Sequence, residues 1–136
     1  MKIIPLLAHA GIVGFESPAA EYTDLELSLD ELLIEHPSSS WIALAVGTSM
    51  TGVGIFDGDI LVIDRHETAR NTDVIVANLN GEFTCKIIDF TGRQLLSACP
   101  HHRAVSISEH DEFTIEGVVS RSVRCHRPSP LFTSKS

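Results

Sequence analysis

Asn80-Gly81 separates two strand-like runs, Val74 to Leu79 and Glu82 to Asp89. An Asn-Gly pair lets both central residues of a two-residue turn take positive φ, which a tight hairpin demands. Residues 74–89 are therefore expected to fold back on themselves as antiparallel strands. The same grammar recurs along the chain. Trp41 to Val46 is a short apolar run, and Asp57-Gly58 reads as a turn feeding Asp59 to Asp64. Thr91-Gly92 precedes Gln94 to Ala98, and Phe113 to Val123 is a long final run in which Gly117 is placed to form a bulge. One helix interrupts the series. Ser28 and Glu31 stand at capping-box spacing, Leu29, Leu32 and Leu33 supply an apolar stripe, and Pro37 stops it. Short strands with frequent turns and one short helix predict a mainly β, mostly antiparallel domain.

Length and charge narrow the function. With 136 residues and 43% hydrophobic content, the chain can bury one core. Residues 1–22 sustain no helical or strand period and read as a flexible N-terminal arm. Residues 23–125 form the β domain, and 126–136, with two prolines and several serines, a frayed tail. No apolar run is long enough for a membrane helix. Ile3 to Ala8 is broken by Pro5 and is too short for a convincing signal sequence. A net charge of −8, from 10 Lys+Arg against 18 Asp+Glu, repels a phosphate backbone, so direct DNA binding by the isolated chain is not expected. Cys85, Cys99 and Cys125 are odd in number and lack C-x-x-C spacing, which suits free thiols in a reducing, cytoplasmic compartment.

Two residues invite a catalytic reading. Gly47-Thr48-Ser49-Met50 directly follows the Trp41 run, and a glycine two positions before a serine permits a sharp turn that presents the hydroxyl. The amides of Thr48 and Ser49 would then face a substrate carbonyl as an oxyanion site. By itself the tetrapeptide describes an ordinary loop equally well. Lys86 lies on the run in which Thr84, Lys86 and Ile88 share one face and Phe83, Cys85 and Ile87 the other. Apolar surroundings disfavour an ammonium, and an uncharged lysine can take the proton of a serine hydroxyl. The competing reading is an exposed lysine guarding an edge strand. Cys99 with His101 and His102, and Cys125 with His126, lack the paired spacing of a zinc site. Asp57, Asp59 and Asp64 are better explained by turns and strand starts than by a cation. Trp41 is expected in the core or an interface, and no metal or cofactor is expected.

Several blocks together resemble the UmuD-like proteins of the LexA/UmuD self-cleaving (peptidase S24) family. They are Gly14-Phe15-Glu16-Ser17-Pro18-Ala19-Ala20-Glu21-Tyr22, then Leu32-Leu33-Ile34-Glu35-His36-Pro37-Ser38, then Gly47-Thr48-Ser49-Met50 with Gly54-Ile55-Phe56-Asp57-Gly58-Asp59-Ile60-Leu61, and last Asn80-Gly81-Glu82-Phe83-Thr84-Cys85-Lys86. They lie in family order over roughly residues 14–124, with Ser49 and Lys86 37 positions apart. The resemblance implies a LexA/UmuD-like β domain with Ser49 as nucleophile, Lys86 as general base, and a scissile bond between Val13 and Gly14. Val13 departs from the usual Ala or Cys, and Ala10-Gly11 offers a second, LexA-like bond. It also implies activation by the recombinase filament on single-stranded DNA (RecA). The trimmed homodimer would then serve a Y-family, UmuC-like translesion polymerase in the SOS response. Three other readings compete: a non-catalytic docking module for a polymerase or filament, a signal peptidase, and a LexA repressor. A signal peptidase normally carries a membrane anchor, and no helix-turn-helix domain fits before Ser49.

Overall fold

The computed structural model describes residues 1–9 and 28–129. Among them the chain forms β1 (Lys2–His9), α1 (Leu29–Leu33), β2 (Ser40–Val46), β3 (Ile60–Asp64), β4 (Val74–Leu79), β5 (Glu82–Asp89), β6 (Gln94–Leu96), β7 (Val105–Ser106) and β8 (Phe113–Val123). The Asn-Gly hairpin forms as its chemistry requires. Asn80 and Gly81 sit at φ 54° and 91°, and β4 pairs β5 from Leu79↔Glu82 back to Val74↔Ile87. In α1 the capping box is complete: Glu31 N–H donates to Ser28 Oγ and Ser28 N–H to Glu31 Oε1, each at 3.1 Å. The helix ends before Pro37, which opens a 3₁₀ turn over Pro37–Ser39.

The strands run in the order β1-β2-β3-β8-β4-β5-β6-β7. A further antiparallel contact of β1 with β5, Lys2↔Thr84, joins the two ends of the first six strands into a barrel. Strands β6 and β7 extend the sheet beyond that closure. The bulge expected at Gly117 is present. At φ 152° it lies where the β4–β8 register shifts between Val76 and Ala77, and a Cβ there would stand 2.5 Å from Ile63 Cγ2.

Three segments differ from the sequence expectation. Residues 2–9, read as part of a flexible arm, form β1 against β2, with Lys2↔Val46 through Pro5↔Ala43 and then His9↔Trp41 after a register shift. Pro5 and an unbroken apolar run hide a period of two, and neighbours distant in sequence supply the pairing. The two-residue β7 is too short to leave a pattern. The Gln94 strand stops at Leu96 instead of Ala98, because Ser97 and Ala98 turn to partners outside the ladder.

The core has two main parts. One gathers Met1, Ile3, Ala43, Ala45, Met50, Ile55, Leu61, Ile63, Val76 and Cys85, with Trp41, Phe83 and Ile87 packed against it. The other contains Ile75, Ala77, Ile88 and Leu95. Strand β5 lies between them. Phe83, Cys85 and Ile87 serve the first, and Ile88 serves the second, as alternation predicts.

Candidate active site

Beyond β2 the chain turns at Gly47, whose φ of 116° excludes most side chains. Its amide donates to Asp57 Oδ1 at 2.8 Å. Asp57 belongs to the turn leading into β3, and that turn is itself braced. Gly58 N–H donates to Ala45 O and Ala45 N–H to Asp59 O, both at 2.8 Å. Asp59 Oδ2 accepts the Phe56 amide at 2.9 Å, and Arg124 grips both Asp59 oxygens at 2.9 and 3.1 Å. The same guanidinium lies 4.2 Å over the Phe56 ring. Burial works against the Asp59 carboxylate, but Arg124 and the Phe56 amide outweigh it and hold the carboxyl below its ordinary range. Reading Asp57-Gly58 as a turn thus agrees with the structure, while Asp59, expected to start the strand, lies just before its first residue, Ile60. Nothing in the sequence signals the Asp57 bond to the serine loop.

Past Gly47 the loop is pinned from the other side. Ala98 N–H donates to Ser49 O at 2.8 Å, and Gly52 N–H donates to Ala98 O at 2.7 Å. A Cβ on Gly52 would lie 2.4 Å from that carbonyl oxygen, so the approach requires glycine. Met50 fills the core and Ser49 is buried. Ser49 Oγ has no hydrogen-bond partner among the described residues, Lys86 included. A buried hydroxyl without a partner is costly, and such exceptions gather where chemistry is done.

Lys86 lies on β5 opposite Ile75 and is only 9% exposed. The edge-guard reading required exposure, so burial counts against it. Its Nζ donates to Ser97 Oγ at 2.6 Å. The first residue completes the surroundings. Met1 O accepts from Cys85 N–H at 2.9 Å and from Thr84 Oγ1 at 3.1 Å. Met1 Cα is the nearest atom to a Cβ built on Gly47, at 3.7 Å. Burial first, then the charge and hydrogen bond of Lys86, lower the Met1 α-amino group to about 6. Two amines thus share one partly desolvated space. Neighbouring Cys85 faces the core, where burial pushes its thiol up to about 12. It packs as an apolar residue.

The remaining sequence candidates lie elsewhere. Val13 and Gly14 and the alternative Ala10-Gly11 bond fall outside the described residues. Thr48 is exposed on the serine loop. Trp41 packs against the core, edge-on to Phe83. Cys99 and Cys125 are free thiols. His36, Asp64 and Glu67 place donor atoms within 4.8 Å of one another, a grouping invisible in a sequence that spreads them over three segments. A 2.6 Å hydrogen bond already joins His36 Nδ1 to Asp64 Oδ2, and Asp64 Oδ1 accepts the His66 amide at 2.8 Å. These bonds satisfy the buried carboxylate and account for the cluster as a clasp between the segment after α1 and the end of β3.

Comparison with known proteins places this geometry in a family. The family model described as Peptidase S24-like matches residues 5–120. Protein SamA of Salmonella typhimurium is 34% identical over 116 residues, covering 85% of this chain and 81% of SamA. Protein MucA of Escherichia coli is 35% identical over 125 residues, 90% of this chain and 86% of MucA. The LexA repressor of Bordetella avium is 33% identical over 89% of this chain, which matches 58% of the repressor. The matched region runs from within β1 to within β8 and carries both Ser49 and Lys86, and on that basis the chain belongs to the peptidase S24-like family.

Proposed function

We propose that the chain is a self-cleaving Ser-Lys peptidase of the DNA-damage response that removes its own N-terminal arm. Ser49 Oγ attacks the Val13 carbonyl, Lys86 takes the hydroxyl proton, and the Thr48 and Ser49 amides hold the oxyanion. Lys86 then returns the proton to the Gly14 nitrogen as the peptide bond breaks, leaving Val13 as an ester on Ser49. A water molecule deprotonated by Lys86 cleaves that ester to free the Val13 carboxylate and restore the Ser49 hydroxyl. A tethered substrate has a high effective concentration, so the arm needs little affinity of its own. The observation that carries the reading is a buried, unpartnered serine hydroxyl on a loop pinned to the same segment that binds a buried lysine amine. Family membership supports it. We further assign a cytoplasmic location, activation by a recombinase filament on single-stranded DNA, and service of the trimmed dimer to a Y-family polymerase.

The test is the mass of the purified chain over time. Incubation near pH about 10, where lysines lose their protons, should release residues 1–13, and an activated filament should give the same product near neutrality. Ser49→Ala and Lys86→Ala should each remain full length while still folded. A chain that stays intact at alkaline pH and with the filament refutes the peptidase. One observation favours a second reading, a non-catalytic docking module: Lys86 Nζ bonds Ser97, not Ser49. Retained binding to polymerase or filament by an uncut chain would establish that module.

A further inference from the structure

We propose that Ser97 is a positioning residue that holds the Lys86 amine in line with Ser49, an assignment that rests on the peptidase reading above. Strands β5 and β6 pair Ile88↔Leu95 and Ile87↔Leu96, so the next step sets Ser97 opposite Lys86 as β6 ends. There Ser97 Oγ accepts the Nζ hydrogen bond at 2.6 Å. The adjacent residue holds the other reactant. Ala98 N–H donates to Ser49 O at 2.8 Å, and Ala98 O accepts from Gly52 at 2.7 Å. One dipeptide therefore grips the lysine by a side chain and the serine loop by the backbone. Any movement of Ser97-Ala98 carries both reacting groups together.

Chemistry gives this contact a purpose. A lysine head sits on a flexible four-carbon stem and rotates freely unless a partner fixes it. In the uncharged amine, one N–H spent on Ser97 Oγ restricts that rotation and leaves the lone pair to be aimed at Ser49 Oγ. When the proton moves from Oγ to Nζ, the bond to Ser97 becomes charge-assisted and strengthens. It therefore stabilises the ammonium formed as the serine oxygen bonds to the scissile carbonyl carbon. The proton next passes to the leaving amine, and Ser97 is unchanged. A serine with a structural role only would support the end of β6 without touching either effect.

The experiment compares self-cleavage rate against pH for the full chain, Ser97→Ala and Ser97→Thr, with Ser49→Ala and Lys86→Ala as zero-rate references. Thermal midpoints are measured alongside. Ser97→Ala should lower the limiting alkaline rate about tenfold or more. Ser97→Thr, which keeps the hydroxyl, should restore most of the rate. If Ser97→Ala does not stay folded, Ser97→Cys, close in shape and a weak acceptor, carries the same expectation. A folded Ser97→Ala variant that cleaves with the wild-type limiting rate, or a Ser97→Thr variant that restores none of the lost rate, overturns the assignment and leaves the peptidase standing. A wild-type chain that never cleaves overturns both.

Discussion

Asp57 Oδ1 accepts the Gly47 amide at 2.8 Å, tying the turn that leads into β3 to the loop that bears Ser49. Ten positions separate the two residues, and the bond closes the segment between them into a braced unit. Asp59 and Arg124 stiffen its far side. The oxyanion amides proposed at Thr48 and Ser49 therefore stand on a loop held at its Gly47 end by one carboxylate and at its far end by Ala98.

Asp57→Ala should loosen that loop while leaving the barrel intact. A lost hydrogen bond from a backbone amide to a carboxylate typically costs about 1.5–3 kcal/mol, less where water replaces it. Asp57 is exposed, so the stability change should fall at or below the lower figure. Self-cleavage should slow more than stability falls, because the Gly47 turn sets where the next two amides point. Paired denaturation and cleavage measurements check this. A rate equal to wild type would show that the loop keeps its shape without the carboxylate.

Gly52→Ala should be more damaging. Its Cβ would lie 2.4 Å from the Ala98 carbonyl oxygen and 3.1 Å from the carbonyl carbon. Both are backbone atoms, so no side-chain rotation relieves the clash. Overpacking of this kind costs about 1–3 kcal/mol, and here it also pries apart the contact joining the serine loop to the Ser97-Ala98 segment. Calorimetry should show a lowered midpoint, and alkaline cleavage should be lost at temperatures where the variant is still folded. Unchanged cleavage would mean that the loop and the segment need not touch.

Much of the barrel could be read from local chemistry. The Asn80-Gly81 hairpin, the Ser28-Glu31 capping box and the Gly117 bulge are each decided by two or three adjacent residues, and each formed where expected. Alternation along β5 set Lys86 on the Ile88 face but left an exposed edge guard as the competing reading, and its burial appears only in the folded chain. What stayed hidden depends on residues remote in sequence. β1 is a strand because β2 and β5 offer it free edges. His36 meets Asp64 across 28 positions. Asp57, Ser97 and Arg124 acquire roles only once the sheet order places their partners beside them. Ser97 is the sharpest case, since a serine ending a short strand has no sequence signature linking it to a lysine 11 positions earlier.

The His36–Asp64 pair predicts a pH dependence of stability. The Asp64 hydrogen bond, opposed by partial burial and aided by its charge, raises His36 above its ordinary 6.5. Burial works against the Asp64 carboxylate, but His36 and the His66 amide prevail and lower it below 3.8. For the histidine, a raised folded value means that its contribution is complete below 6.5 and fades as pH climbs through the folded value. For the aspartate, the contribution is complete above 3.8 and fades as pH falls through the folded value. The pair is therefore strongest between those two ordinary values. Met1 acts in the opposite sense near neutrality. Its amine titrates at about 6 folded against 8 unfolded, so the unfolded chain binds more protons and stability rises across that interval. Subtracting the melting curve of His36→Gln from that of wild type cancels the Met1 effect. The difference should be largest near pH about 5–6 and shrink by about pH 9. A flat difference would show that the ring contributes packing and no charge.

Cleavage between Val13 and Gly14 would sever the covalent link between β1 and the rest of the barrel. β1 then stays in place through its ladder on β2, the Lys2↔Thr84 contact, the two hydrogen bonds accepted by the Met1 carbonyl, and the burial of Met1 and Ile3. Two buried apolar side chains contribute about 1.5–3 kcal/mol each. Release of the peptide gains translational freedom of comparable or larger size. The released peptide should therefore dissociate at micromolar protein concentrations, and the product should lack β1. Loss of β1 removes the Met1 carbonyl that accepts the Cys85 amide and uncovers the edge of β2 from Ala43 to Val46. Amide exchange at Cys85 should accelerate after cleavage, while exchange in β4 and β8, with which β1 forms no ladder, should change less. Lys86 would lose its neighbouring amine at the same moment, so the cut product presents a more open site than the intact chain. Native mass spectrometry checks the outcome directly. A persistent complex of product and peptide at low micromolar concentration would show that the ladder alone retains the strand.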